Sequence, residues 1–461
     1  MRRHISSYGL WAVWLASRAV LFSLVTAPGM IDDVGLYQRW YTCCLSRHVF
    51  PAGDPLWQYP PGAGVVFWLA GHLPGRYTDS FTLLAIGCDL AVTLLLCAAP
   101  RRGGSLAGAW YWVCAVPVLG TITIGRLDII PVAISVAAAS VTKRGGVRGL
   151  LIGAGAAVKA WPVTLLAGAA PGQRRRVLAA AAAVLAATCV AFRGPTMSFL
   201  AHQGGRGVEI ESVAATPFLI WRHAGWHGAV VYRYGAMQLS GEDVTIALDA
   251  SRLCLVLIAA AVAVWSLWAG RDRGRWRPEF AADAPLAVTL LVLVASPLLS
   301  VQYVLWVIGL AAACLANRGT TQRPVALILL AVAGLTVAIY PAMWHPLLEG
   351  SGAVTGVLMT RNALLVAAAA VSCRRILGYR APPRPGNSPG AGGVATVRRG
   401  RGVSLQASGS LRSRVSAEMA AAAAMAAAAR NTAAGDRLST WAPAVGAIAS
   451  PAHQASPITA M

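Results

Sequence analysis

Long apolar runs recur through the first 371 residues, and short arginine clusters separate them. A helix needs about 20 apolar residues to cross the ~30 Å hydrocarbon core of a bilayer. Backbone in lipid must also satisfy its own hydrogen bonds, which restricts spanning structures to helices and closed barrels. Runs of this length select helices. The 461-residue chain is 57% hydrophobic and only 12% charged, with a mean hydropathy of +0.60, whereas soluble chains carry about 25% charged residues. So few polar groups cannot cover a water-facing surface. A soluble enzyme is excluded, and an all-α polytopic membrane protein is expected.

The net charge of +22 is read as topology. Its basic residues sit between apolar runs, at Arg2-Arg3, Arg101-Arg102, Lys143-Arg144, Arg174 to Arg176, Arg271 to Arg277, Arg318 with Arg323, and Arg374-Arg375. That is the pattern of cytoplasmic loops. No separate basic domain stands apart, so nucleic acid is not expected as a partner. About ten full spans are expected, at 10–27, 79–99, 105–121, 128–142, 177–192, 251–269, 283–297, 301–317, 324–341 and 354–371. With the clusters inside a plasma membrane, both termini are cytoplasmic. Residues 62–73 are too short to cross and read as an interfacial helix. Residues 147–171 lie between two basic clusters yet are too short for two crossings. A re-entrant hairpin with its tip near Lys159-Ala160-Trp161-Pro162 resolves this.

Two long outer loops follow from that topology, at 28–61 and 193–250. They hold most of the acidic residues and are rich in Trp, Tyr and Arg, which points to order and to an outer working face. Six of the nine cysteines fall inside apolar runs, where Cys acts as a small hydrophobe. Adjacent Cys43 and Cys44 are not expected to bridge. The N-terminal apolar run lacks a small-residue cleavage site and reads as a first span. A transmembrane domain is expected over 1–379. Residues 380–461, rich in Ala, Gly, Ser, Pro and Arg, are expected to form a disordered cytoplasmic tail without a catalytic role.

Asp32 and Asp33 lie above the first span, with Tyr37 and Trp40 one and two helical turns on. A carboxylate there is placed either in a solvated turn or to act as a general base on an amphiphilic substrate. Lys159 at a hairpin tip is an ionisable residue at membrane depth, and such residues are functional by default. Arg126 is expected to pair with Asp128, and Arg206 with Glu211. Gln302 and Tyr303 open a span and can either cap that helix or hydrogen-bond hydroxyl groups of a substrate. Asp89 lies inside a span and needs a partner. The tryptophans, Trp57 and Trp112 among them, are expected mostly at the membrane interface. The outer acids leave a divalent metal open, although no ligand spacing demands one, and no nucleotide-binding glycine loop opens a strand–helix unit.

Asp33-Val34-x-x-Tyr37-x-x-Trp40, followed by Trp57-Gln58-Tyr59-Pro60-Pro61-Gly62-Ala63, resembles the first-loop signature of glycosyltransferase family 87. These are bacterial, mostly actinobacterial, membrane transferases of the GT-C superfamily. Arg126-Leu127-Asp128-Ile129-Ile130-Pro131, Lys159-Ala160-Trp161-Pro162, Arg206 to Ser212, and Ser296-Pro297 through Gln302-Tyr303 match further family segments in order. The resemblance covers roughly residues 8–375 and implies a GT-C-like helical bundle. It implies Asp33 as the catalytic base, and a polyprenyl-phosphate sugar, mannose in many members, as donor. Lys159, Arg126 and Arg206 would then hold the donor phosphate. Tyr37, Trp57, Tyr59, Asp128, Glu211, Gln302 and Tyr303 would form the substrate site for a cell-envelope glycolipid or glycan acceptor. A transporter or flippase of a lipid-linked sugar is the competing class, but such proteins carry repeated halves with charges near the midplane. Here the charges gather on one face.

The topology has a direct test. In intact cells an impermeant thiol reagent is expected to modify single cysteines introduced within 193–250 and to spare those within 271–277. The reverse labelling pattern would invert the assignment of the working face.

Overall fold

The computed structural model describes residues 2–26, 32–271 and 276–378, and these are overwhelmingly helical. In chain order the helices are α1 (Arg2–Thr26), α2 (Asp32–Cys43), α3 (Gly62–His72), α4 (Tyr77–Cys97), α5 (Ala107–Leu119), α6 (Ile129–Ser140), α7 (Gly145–Val158) and α8 (Arg174–Ala191). They continue with α9 (Arg193–Gly204), α10 (Thr216–Trp221), α11 (Val244–Arg271), α12 (Phe280–Ala295), α13 (Val304–Leu315), α14 (Arg323–Val337), α15 (Trp344–Glu349) and α16 (Gly352–Leu377). One small antiparallel sheet, ordered β1-β3-β2, joins β1 (Val208–Glu209), β2 (Ala229–Arg233) and β3 (Ala236–Ser240). The expected tail at 380–461, and most of the 271–277 cluster, lie outside the described residues.

Five helices are long and apolar enough to cross a membrane, within Tyr8–Val25, Tyr77–Arg102, Val244–Ala269, Arg323–Ala342 and Gly352–Leu377. The pair α8 and α9 adds a sixth if its 103° bend lies within one span. The expectation of about ten full spans is therefore not confirmed. Helices α5, α6, α12 and α13 have 13, 12, 16 and 12 residues, which is about 18–24 Å of helix. Breaks cut their apolar runs: α5 stops at Gly120, whose φ of +61° suits glycine, and α12 stops just before Pro297. These short helices are the most enclosed. Helix α13 is buried from Val304 to Cys314 and packs on α5, α6, α12 and α14. A helix apolar all round fits such a position, because it meets protein rather than lipid.

The hairpin forms where the sequence places it. Helix α7 ends at Val158, Lys159 is extended, and a 3₁₀ helix (Trp161–Gly168) follows with Pro162 in its first turn. Proline is suited there, since that N–H has no helical partner to lose. A Cβ on Gly62 would lie 2.5 Å from the Ala157 carbonyl oxygen. Only glycine lets the start of α3 press against the end of α7, and this brings the Trp57–Pro61 turn beside Lys159.

Both long connecting segments are ordered over their described residues, 32–61 and 193–250. The first contains α2 and a 3₁₀ turn (Leu45–Arg47), and the second contains α9, the sheet and α10. Two expectations are corrected here. Cys43 and Cys44 are joined by a disulfide, although the remaining cysteines are free. Trp57 and Trp112 are fully buried rather than interfacial, because Trp57 packs among Trp40, Phe50 and Phe67 and the Trp112 indole donates to buried Asp89.

Asp89 finds its partner in Arg18 of α1. The Arg18 Nη2 and Nε donate to its two oxygens at 2.9 Å, and Trp14 and Trp112 donate their indole N–H groups at 2.6 and 2.7 Å. The pair ties α1, α4 and α5 together. Removing one partner of a buried pair strands a charge, so Arg18→Met or Asp89→Leu is expected to cost about 3–5 kcal/mol. The double variant is expected to recover most of it. Thermal unfolding in detergent checks this, and equal losses in single and double variants would assign the effect to packing alone.

Candidate active site

Lys159 anchors the cluster. Its ammonium donates to both oxygens of Asp128, at 2.7 and 2.9 Å, and Trp306 Nε1 donates to the same carboxylate at 2.5 Å. Asp128 stands just before α6 but makes no side-chain cap bond, which leaves its oxygens to these donors. Three rings surround the ammonium: Tyr303 at 4.8 Å, Trp306 at 5.3 Å and Tyr59 at 5.6 Å. Trp306 is itself stacked between Tyr303 and Trp161. Aromatic faces attract a cation without competing for its protons, so Lys159 is held in place while staying 12% exposed.

Asp33 lies in the first turn of α2 and is 26% exposed. Its carboxylate pairs with Arg126 at 2.9 Å, and Arg126 Nη1 donates to Gln302 Oε1, also at 2.9 Å. The guanidinium lies over the ring of Tyr340 at 5.6 Å. One turn along α2, the Tyr37 hydroxyl is 3.2 Å from that of Tyr59. Burial pushes both phenols well up, with the charge of Asp33 adding to it. They therefore stay neutral hydrogen-bonding groups. Tyr37 and Trp57 are buried and pack with Trp40 and Phe67 beneath this region, while half-buried Tyr59 reaches Lys159. Asp54 sets the turn: it accepts from Trp40 Nε1 at 2.8 Å and from the Leu56 N–H at 2.9 Å.

The third strip of the site comes from the segment between α9 and α10. Arg206 pairs with Glu209, which also accepts from Ser300 Oγ at 3.1 Å. Arg126 and Arg206 both lie near enough to oppose the charge of Lys159. Glu211, two residues on, pairs with Arg361 of α16 at 3.4 Å. Four cations and four carboxylates thus meet as four pairs.

Every expected site residue falls in or directly beneath this cluster, but the expected pairings are corrected. Arg126 pairs with Asp33, not Asp128, whose two oxygens are taken by Lys159 and Trp306. Arg206 takes Glu209 rather than Glu211, whose carboxylate pairs with Arg361 of α16 instead. Sequence reasoning missed Arg361, Trp306 and Tyr340. Arg361 carried a usable signal as a single cation inside an apolar run. Among the described residues no three His, Cys, Asp or Glu side chains gather as a metal-binding group.

Chemically, the cluster presents one accessible carboxylate, three cations and neutral hydroxyl and amide groups around one point. No curated protein and no solved structure matches the chain. The model of glycosyltransferase family 87 matches residues 57–297, more than half of the chain and the stretch that supplies Tyr59, Arg126, Asp128, Lys159, Arg206 and Glu209. With its apolar spanning helices, the chain belongs to glycosyltransferase family 87 and is an integral membrane glycosyltransferase.

Proposed function

We propose that the protein transfers a hexose, mannose by preference, from a polyprenyl-phosphate donor to a glycolipid or glycan acceptor at the outer face of the plasma membrane, with inversion. Both termini are then cytoplasmic, and the 380–461 tail takes no part in transfer. The observation that carries this reading is the meeting of Arg126, Lys159 and Arg206 beside the accessible Asp33 carboxylate. Asp33 takes the proton of an acceptor hydroxyl as its oxygen attacks the anomeric carbon. The bond from that carbon to the phosphate oxygen breaks, and the phosphate leaves with the electron pair. Fixed cations aimed at the developing charge are worth far more in a water-poor site than in bulk solvent. A β-linked donor gives an α-linked product. Tyr59, Gln302 and Tyr303 are the groups within reach of sugar hydroxyls.

A second feature supports a lipid-linked donor. An apolar groove of about 460 Å³ is lined by Leu73, Pro74, Leu84, Cys88 and Ala91, with Ala133 of α6 on its far wall. Ala133 is five residues beyond Asp128, about 7 Å along the helix axis. A groove of this chemistry, reached along α6 from Asp128, suits an isoprenoid chain whose phosphate rests on Lys159.

Asp33→Asn keeps the shape of the side chain but cannot take a proton, so kcat is expected to fall by at least ~10²–10⁴ with donor binding retained. Lys159→Ala is expected to weaken both donor binding and turnover. Lys159→Arg restores only part, because the two cations differ in shape and hydration. Radiolabelled transfer from polyprenyl-phosphate mannose in membranes, normalised for expression, measures all three. Normal turnover by Asp33→Asn would remove it as the base.

A further inference from the structure

An arginine within an apolar helix is explained by what it holds. Arg361 and its neighbour Asn362, on α16, are 1% and 2% exposed. Arg361 Nη2 donates to the Glu211 carbonyl oxygen at 3.2 Å and lies 3.4 Å from the Glu211 carboxylate. Asn362 Nδ2 donates to the Ser212 carbonyl oxygen at 3.2 Å and to Thr216 Oγ1 at 2.9 Å. Two adjacent side chains of one helix therefore grip the chain just after β1. The start of the same stretch is held from other sides: the Glu209 N–H donates to Pro297 at 2.9 Å, and the Ile210 N–H to Met237 at 3.0 Å. Between these anchors sits Glu209, which orients Arg206. Arg361 itself touches neither Asp33, Lys159 nor Arg206, and the transfer step described above does not use it.

We propose that Arg361 is a positioning residue for the transfer reaction: its ion pair with Glu211 fixes the 206–212 segment, and through Glu209 it aims Arg206 at the leaving phosphate. The inference rests on the polyprenyl-phosphate reading. Its consequence is a dependence of transfer on the ionisation of Glu211, a residue outside the bond-making step. Burial pushes the Glu211 carboxyl up to about 7, with the charge of Glu209 adding to it and Arg361 and Arg126 opposing it. As the pH falls through that value the carboxylate is protonated, the pair loses its charge, and the grip on the segment weakens. Transfer falls in the same direction.

The test is the pH profile of kcat/KM for full-length protein in detergent, with polyprenyl-phosphate mannose as donor. Wild type is expected to lose about tenfold per pH unit on the acid side of neutrality. Glu211→Gln is expected to be slow and flat across that limb, Arg361→Lys to keep it close to wild type, and Arg361→Gln to move it upward, because the cation favouring the carboxylate is gone. An acid limb unchanged in Glu211→Gln overturns the proposal even if the variant is slower, since a merely structural contact would behave that way. Where Arg361→Gln does not fold, the isosteric and neutral Glu211→Gln decides alone. Absence of transfer by wild type from this donor would sink the donor assignment and this inference with it. An active wild type with an unmoved limb in the variants sinks only the inference.

Discussion

The contact on which the remainder depends is the ion pair between Lys159 and Asp128. A lysine at the turn of a hairpin deep in an apolar protein can keep its charge only if a carboxylate and further hydrogen bonds replace water. Asp128 supplies two oxygens, and Trp306 completes the set. Three elements are fixed by this one arrangement: the end of α7, the start of α6 and the first turn of α13. Once they are placed, the remaining parts of the site have little freedom. Gln302 and Tyr303 precede Trp306 on the same turn, Arg126 precedes Asp128 by two residues, and Gly62 brings Tyr59 down onto the end of α7. The five short motifs that lie far apart in sequence are neighbours because each is tied to this pair or to an element it fixes.

How much of this was legible in the sequence depended on the range of the interaction. Asp33, Tyr37 and Trp40 recur at helical spacing, and α2 places them on one side as the spacing implies. Lys159 was legible as the charge at the middle of a segment too short for two crossings. Apart from Arg206 with Glu209, three residues away, the pairings were not legible, because they join distant residues, from 31 positions for Lys159 with Asp128 to 176 for Arg126 with Gln302. Nearness in sequence puts Arg126 on Asp128, but Lys159 and Trp306 hold that carboxylate. The span count failed for another reason. Hydropathy measures how apolar a run is, not where glycine and proline cut the helix within it. Helix α13 is apolar because protein encloses it, and α11 is apolar because most of its length faces outward. The two causes leave the same mark on composition.

Three buried or half-buried aspartates in this chain differ in how fully they are coordinated, and that difference separates structure from chemistry. Asp89 is fully buried and accepts four hydrogen bonds, two from Arg18 and one each from Trp14 and Trp112. Its lone pairs are occupied and no substrate can reach it, so its role is to join helices. Asp128 is 1% exposed and accepts three, from Lys159 and Trp306. It can orient a cation but has no open side from which to receive a proton. Asp33 is a quarter exposed, and Arg126 is its ion-pair partner among the described residues. A general base must be both anchored and open, within hydrogen-bond reach of the proton it abstracts. Of the three, Asp33 alone combines one fixed contact with a free approach, and that approach lies beside Arg126, Lys159 and Arg206, as the proposed transfer needs.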